Sequence, residues 1–117
     1  MVTALMIKPL EHPVIAQLCD NRTYLDHAVR IGSDTECSAT ASHITMEIAV
    51  IYAQDISLQA NRKIGKRLLC GTFYIVGVNA GKLRSLTDEE VVTYTFLFWE
   101  PEFFTEDEVI EAWVDNL

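Results

Sequence analysis

Three carboxylates near the end of the chain are spaced so that they would share one face of a helix. Asp107, Glu111 and Asp115 stand at positions i, i+4 and i+8, which lie one above another along a helix. Each like-charge pair at this spacing costs about 0.2–0.5 kcal/mol, and Asp115 adds negative charge at the helix end where the dipole disfavours it. An ordinary solvated helix face is the simpler interpretation of this row, and a surface that binds a partner is the alternative.

Other acidic side chains extend this candidate surface. Residues 86–117 contain ten Asp or Glu and no Lys or Arg, and a block of one sign projects a field that attracts partners. Part of the block has an ordinary explanation, because residues 88–90 and 106–108 fall in the first turn of a predicted helix, where negative charge is favoured. The residues that we predict to bind a partner, called here the carboxy-terminal surface, are Glu100, Glu102, Asp107, Glu108, Glu111 and Asp115.

The stretch just before this block has the opposite charge. Residues 61–84 contain six Lys or Arg and no acid. Four of these bases, Arg62, Lys63, Lys66 and Arg67, would share one side of a helical turn and could clamp the phosphates of a nucleic acid. The interpretation that we favour makes them an intramolecular counter-surface to the acidic helices, because the net charge is −8 and no aromatic set for base stacking lies between them.

No pattern of a catalytic or metal-binding site is visible. His12, His27 and His43 have no ligand spacing with one another or with a cysteine. Cys70 lies in an apolar run, which predicts a buried thiol rather than a nucleophile. Gly65-Lys66 lacks the other residues of a phosphate-binding loop. We therefore expect a non-enzymatic protein without a metal or cofactor.

The first two thirds of the chain predict mainly strands. Val2–Lys8 is a short apolar strand that ends at a proline. Thr23 and Gly32 bracket a predicted helix, and residues 33–42 are predicted to be a loop or weak hairpin. Alternating apolar residues from Ile44 to Tyr52 predict a strand with one buried face. A basic turn is expected over residues 61–66, and the apolar run from Leu68 to Val78 is typical of one central strand covered on both faces.

Two capping boxes make the last third the best-specified part of the chain. Thr87 with Glu90, and Thr105 with Glu108, each match the Thr-x-x-Glu pattern of a helix start. They predict helices near residues 88–98 and 106–115. Thr93–Trp99 has strand-like propensity, so the first of these helices could end early.

Composition is consistent with one α+β domain over residues 1–117. Half of the 117 residues are hydrophobic, which excludes a disordered acidic tail. The expected fold is a small, mainly antiparallel sheet with helices on one face, the last two helices being acidic. Three widely spaced cysteines favour a reducing, cytoplasmic setting. No apolar run reaches the ~20 residues of a membrane span, and the amino terminus does not match a signal peptide.

Several short motifs resemble a known family. The motifs are Ile7-Lys8-Pro9 followed by His12-Pro13, Asn61-Arg62, Gly71-Thr72-Phe73-Tyr74-Ile75-Val76-Gly77, Ser85-Leu86-Thr87-Asp88-Glu89, Tyr94 and Pro101-Glu102. This pattern resembles domain of unknown function 3846, a family of small proteins from phages, plasmids and conjugative elements. The resemblance places residues 1–104 in a family-like core and residues 105–117 in an additional acidic, amphipathic helix.

The resemblance implies a setting but no activity, because the family has no established one. A mobile element in the bacterial cytoplasm is the implied setting. Together with the charge block, it predicts an accessory protein that binds a host protein through the carboxy-terminal surface. The predicted partner belongs to a host defence system, of the restriction or CRISPR type. A nucleic-acid-binding regulator that uses residues 62–67 is the alternative.

Overall fold

A computed structural model describes residues 1–19, 39–53, 58–65 and 67–115 of the chain. The helix predicted between Thr23 and Gly32 lies outside these residues. The described part forms eight strands and two helices. The strands are β1 Val2–Ile7, β2 Val14–Leu18, β3 Ala39–His43, β4 Ile48–Ala53, β5 Ala60–Ile64, β6 Arg67–Cys70, β7 Phe73–Asn79 and β8 Lys82–Arg84, and the helices are α1 Asp88–Leu97 and α2 Glu106–Asp115.

The strands form a six-stranded sheet and a separate hairpin. The sheet has the order β2-β1-β7-β4-β3, and β8 pairs with the end of β7. Strand β7 is central, since β4 runs along one side of it and β1 and β8 follow each other along the other side. Strands β5 and β6 pair only with each other in the described residues. Every one of these pairings is antiparallel, so the mainly antiparallel α+β prediction is confirmed at this level.

Strand β4 is covered on both faces, which differs from the prediction of one buried face. All six of its residues are buried. Ile48, Val50 and Tyr52 pack in one hydrophobic cluster, whereas Ala49 and Ile51 pack in the other. Apolar side chains therefore pack on both faces of β4. The strand also starts at Ile48 rather than at Ile44, because residues 44–47 form a bend.

The apolar run from Leu68 to Val78 is two strands and not one. The chain turns at Gly71, whose φ of +75° lies in the left-handed region that glycine adopts without strain. Strand β6 precedes this turn and pairs with β5, while β7 follows it and enters the main sheet.

The structure also bears on two other sequence predictions. Residues 39–42 belong to strand β3, which pairs with β4 as a hairpin, so the hairpin alternative fits these residues and the loop does not. Residues 60–64 form β5 where a basic turn was expected.

A bulge in the β5–β6 hairpin turns two consecutive polar side chains inward. Ala60 pairs with Cys70 and Arg62 pairs with Leu69, so Asn61 is an extra residue in the ladder. Side chains in a regular strand alternate between the two faces, but a bulge breaks this alternation. Asn61 and Arg62 are consequently both fully buried, at 0% exposure.

Helix α1 starts where its capping box predicts. The Thr87 hydroxyl accepts a hydrogen bond from the Glu90 backbone nitrogen at 3.2 Å, and the Glu90 carboxylate accepts one from the Thr87 backbone nitrogen at 2.8 Å. Leu86 and Phe98, at the two ends of the helix, are buried against the sheet in the cluster that contains Phe73. The helix is therefore held to the sheet mainly by its flanking residues.

Glu90 also joins the basic and acidic parts of the chain. The Arg84 guanidinium donates two parallel hydrogen bonds to its carboxylate, at 2.8 and 2.9 Å. This contact, together with the bonds from Thr87, lowers the pKa of Glu90 from its ordinary value of 4.5 to about 2, and the same bond raises the pKa of Arg84. Arg84 in turn packs against Gly77, where a Cβ atom would lie 2.6 Å from the guanidinium.

We expect the Glu90→Gln variant to lose about 1–2 kcal/mol of unfolding free energy at pH 7, because it removes the charged half of a bidentate pair. The folded-state pKa lies below the unfolded one, so this stabilisation is present above pH 4.5 and disappears as the pH falls toward 2. Urea unfolding between pH 7 and 2.5 measures it. The variant curve should approach the wild-type curve at low pH, and a constant gap would contradict the assignment. Glu89→Gln, one residue away, is the control.

Candidate functional site

A buried arginine fixes the position of the carboxy-terminal segment. Nε and Nη2 of Arg62 donate to the carbonyl oxygen of Phe98 at 3.3 and 3.0 Å, and Nη2 also donates to the carbonyl oxygen of Glu11 at 2.7 Å. Phe98 is the C-cap of α1. A cation at this end of a helix is favoured by the dipole, so Arg62 holds the point where the chain leaves α1.

Asn61 completes this buried polar cluster. Its side-chain oxygen accepts a hydrogen bond from Nη1 of Arg62 at 2.8 Å. Its side-chain nitrogen donates to the carbonyl oxygens of Ile7 and Gly71 at 2.9 and 2.8 Å. Asn61 thus links the end of β1, the turn before β7 and the arginine. Burial lowers the pKa of Arg62, and the negative charge of Glu102 acts in the opposite direction.

The aromatic ring of Trp99 supports the same segment from outside. It stacks on the imidazole of His12, with ring centroids 3.9 Å apart and planes within 10°. The Nδ1 atom of His12 also lies within hydrogen-bond distance of the Trp99 carbonyl oxygen. Two neighbouring residues of the segment, Phe98 and Trp99, are therefore tied to the loop after β1.

The basic residues do not form the strip that the sequence predicted. The expected helical turn is part of a β-hairpin, and Arg62 is fully buried, so no phosphate can reach it. Lys63 and Arg67 are exposed, and Arg67 donates to the hydroxyl of Tyr52. Lys66 lies outside the described residues. The alternative in which these four bases share one side of a helical turn therefore loses Arg62, because Arg62 is buried in a strand.

The acidic residues of the carboxy-terminal surface fall into two groups. Glu108 accepts the capping hydrogen bond from the Thr105 backbone nitrogen at 3.1 Å. Glu102 accepts one from the Lys63 backbone nitrogen at 3.3 Å. Glu100, Asp107 and Glu111 are exposed, and none of the three side chains forms an ion pair with another residue in the described part of the chain. Asp115 ends α2, and its side chain lies outside the described part.

Large exposed apolar side chains lie among these carboxylates, and the sequence interpretation missed them. The sequence held a signal for three of them, Phe96, Leu97 and Trp99, because consecutive apolar residues on a helix cannot all face the same side. No residue within α1 is buried, which leaves these side chains in contact with solvent. The exposed large apolar residues from α1 onward are Val92, Phe96, Leu97, Trp99, Phe103, Ile110 and Val114.

The other candidate residues are dispersed. His43 is exposed at the end of β3, and its Nδ1 lies 3.1 Å from the carbonyl oxygen of Thr45. Cys70 is buried in β6, as predicted, whereas His27 lies outside the described residues. Within the ranges that the structure describes, no three His, Cys, Asp or Glu side chains are grouped so that they could hold a metal ion.

Comparisons of the chain with models of protein families, with curated proteins and with solved structures find no match. None of the helices in the described part is both long and apolar enough to cross a membrane.

Proposed function

We propose that this chain is a non-enzymatic accessory protein that binds another protein through its carboxy-terminal surface. One observation supports the proposal above all. Large apolar side chains are exposed between residues 92 and 114, and they lie within residues 86–117, which contain ten acids and no base. Single exposed apolar residues are normal, but several in succession within one segment are typical of a protein interface.

The identity of the exposed residues favours a protein partner. Phe and Trp are enriched at protein interfaces, where they supply large contact areas. Phe96, Trp99 and Phe103 are all exposed here. The adjoining acids Glu100, Asp107 and Glu111 would remain solvated at the rim of such an interface, where charges guide association and choose the partner. The expected partner surface is therefore basic around an apolar centre.

The biological setting comes from the family resemblance and from the charge. We propose a phage or another mobile element, acting in the cytoplasm of a bacterial host, as the source of the chain. A host defence complex that handles nucleic acid would present the basic surface required, so we propose a restriction or CRISPR system as the target. The same proposal places both carboxy-terminal helices on one face of the sheet with their acids outward.

Reversing two charges on α2 is expected to abolish partner capture. Asp107→Lys with Glu111→Lys replaces two exposed acids on one face, so binding to a basic surface should fall by at least about tenfold. Affinity purification from host lysate at low and raised salt measures this, and circular dichroism checks the fold. Wild-type capture should weaken as salt rises.

The control uses the same helical positions of α1. Glu89→Lys with Thr93→Lys matches Asp107 and Glu111 in position, since each pair occupies the second and sixth residues of its helix. This variant should retain the partner. Equal capture by both double variants would contradict the proposed surface.

A further inference from the structure

An open groove lies beside the carboxy-terminal surface. Its volume is 460 Å³, within the range of about 300–1,000 Å³ typical of ligand sites. The groove lies between the turn after β1, the start of β5 and the segment that leads into α2. Its large apolar lining residues are Leu10, Phe103, Phe104, Val109 and Ile110.

The charges along the groove are of one sign. Glu102 and Glu106 line it, and no Lys or Arg among the described residues does. Glu102 is partly compensated by the buried Arg62, whereas Glu106 is exposed in the first turn of α2. A basic segment would be attracted to this edge, chiefly by Glu106, and an acidic one would be repelled. The chemistry of the groove therefore fits a segment that is both apolar and basic.

The walls of the groove are open, which favours a protein segment over a small molecule. Phe103 is 79% exposed and Ile110 is 59% exposed. A small-molecule site encloses most of its ligand, but these side chains would be covered only by a partner that continues beyond the groove. Their burial would provide the apolar contact that dominates interface energetics.

The backbone at Leu10 gives independent support. Leu10 has a φ of +63°, a left-handed conformation that few non-glycine residues adopt, and its side chain is still 43% exposed. Such conformations persist where the surroundings impose them and are concentrated at functional sites.

We propose that the groove takes large aliphatic or aromatic side chains from a partner segment that carries Lys or Arg beside them. This inference rests on the proposed function and deepens it, because it names where the anchor side chains of the partner bind. Phe103 and Ile110 cover the anchors, while Glu106 attracts the flanking bases.

Three synthetic peptides test the chemistry. The probe is a Lys-rich peptide of about 14 residues with Leu and Phe at i, i+4 spacing. In one control Leu and Phe become Ser, and in the other Lys becomes Glu. Calorimetry with the full chain should show at least about tenfold tighter binding of the probe than of either control, as expected for loss of an anchor or of charge complementarity. Equal binding of all three would overturn the proposal.

Matched variants of the protein test the location. Phe103→Ala should weaken probe binding about tenfold. Ile15→Ala should change it by less than about twofold, because Ile15 is also exposed, at 61%, but lies in β2, outside the groove and outside the carboxy-terminal surface. Glu106→Gln should weaken it a few-fold more than Glu89→Gln, which occupies the first turn of α1. Equal effects of Phe103→Ala and Ile15→Ala would exclude the groove.

The Leu10→Gly variant distinguishes a role of the Leu10 side chain in binding from a role in stabilising the fold. Removing the side chain should weaken probe binding about tenfold, while the melting temperature should stay within about 5 °C of wild type because backbone strain is relieved. A purely structural role for Leu10 predicts a lower melting temperature and unchanged binding. If host-partner capture is lost with the α2 charge reversals but is unchanged by Phe103→Ala and Leu10→Gly, the groove is wrong while the proposed function stands.

Discussion

Arg62→Met is expected to lower the free energy of unfolding by about 3 kcal/mol. Met keeps most of the side-chain volume and removes a buried charge, which by itself can be neutral or stabilising. The loss comes from the acceptors left behind. The carbonyl oxygen of Phe98 and the side-chain oxygen of Asn61 would each lose a charged donor, and an unsatisfied buried acceptor costs about 1–3 kcal/mol.

Two further variants make this expectation specific. Arg62→Lys keeps the charge but offers a point charge in place of a planar fork, so it should recover only part of the loss. Lys63→Met, at the exposed neighbouring position, should stay within about 0.5 kcal/mol of wild type. Denaturant unfolding monitored by circular dichroism gives all three values.

The same variants decide between the two interpretations of the basic segment. If Arg62 served to bind a nucleic acid, Arg62→Met would leave stability unchanged and would reduce the salt dependence of binding. The hydrogen bonds of Arg62 to Phe98 and Glu11 predict the opposite outcome. Unchanged unfolding of Arg62→Met would therefore contradict the structural role.

The helix starts could be predicted from the sequence because their signals are local. A capping box needs only four consecutive residues, and both boxes form the expected hydrogen bonds, Thr87 with Glu90 and Thr105 with Glu108. The antiparallel sheet followed from short apolar runs separated by turns. These features depend little on the remainder of the chain.

The hairpin of β5 and β6 could not be predicted, because its causes are distant in sequence. A run of four charged residues within positions 62–67 is typical of an exposed turn. Arg62 is nevertheless buried, since its acceptors at Phe98 and Glu11 lie 36 and 51 residues away. The bulge at Asn61 that turns both side chains inward is visible only in the pairing with β6.

The sequence predicted the exposed acidic residues of the candidate site but not its exposed apolar residues. The row of Asp107 and Glu111 follows from helical spacing, and both residues are exposed on α2. Phe96 lies in an apolar run, but Phe103 carries no comparable signal, because a sequence alone does not show which apolar residues a small sheet leaves uncovered. The exposure of Phe96 depends on which residues hold α1 to the sheet, namely Leu86 and Phe98 at its ends and the half-buried Val91 and Tyr94 within it.

Basic residues from the segment 61–84 contact helix α1 at both of its ends. Arg84 pairs with Glu90 at the start of the helix, and Arg62 binds the carbonyl oxygen of Phe98 at its end. The basic segment thus holds α1 in place, partly through a carboxylate and partly through the backbone. The exposed acids of α2 have no such basic counterpart in the described residues, as the proposed partner surface requires.

Gly71→Ala is expected to lower the free energy of unfolding by about 3 kcal/mol. Its φ of +75° is strained for alanine, at a cost of about 1 kcal/mol. An added Cβ would also lie 2.6 Å from the Cδ1 atom of Leu58, so a packed side chain would have to move, at about 1–3 kcal/mol. Any shift of this turn also disturbs the bond that Asn61 donates to the Gly71 carbonyl oxygen.

The two contributions can be separated within the same chain. Gly65 has a φ of +63° and nothing within 4 Å of a Cβ, so Gly65→Ala should show only the backbone cost of about 1 kcal/mol. In a double-mutant cycle, Leu58→Ala with Gly71→Ala should be less destabilising than the sum of the single changes by about 1 kcal/mol or more, because the clash is absent. Equal losses for Gly65→Ala and Gly71→Ala would mean that Leu58 does not press on this turn. A larger loss of unfolding free energy for Gly71→Ala than for Gly65→Ala would show that the turn between β6 and β7 also supports the cluster of Asn61 and Arg62. The reason is that Gly71, which separates the two strands, also supplies a carbonyl acceptor to Asn61.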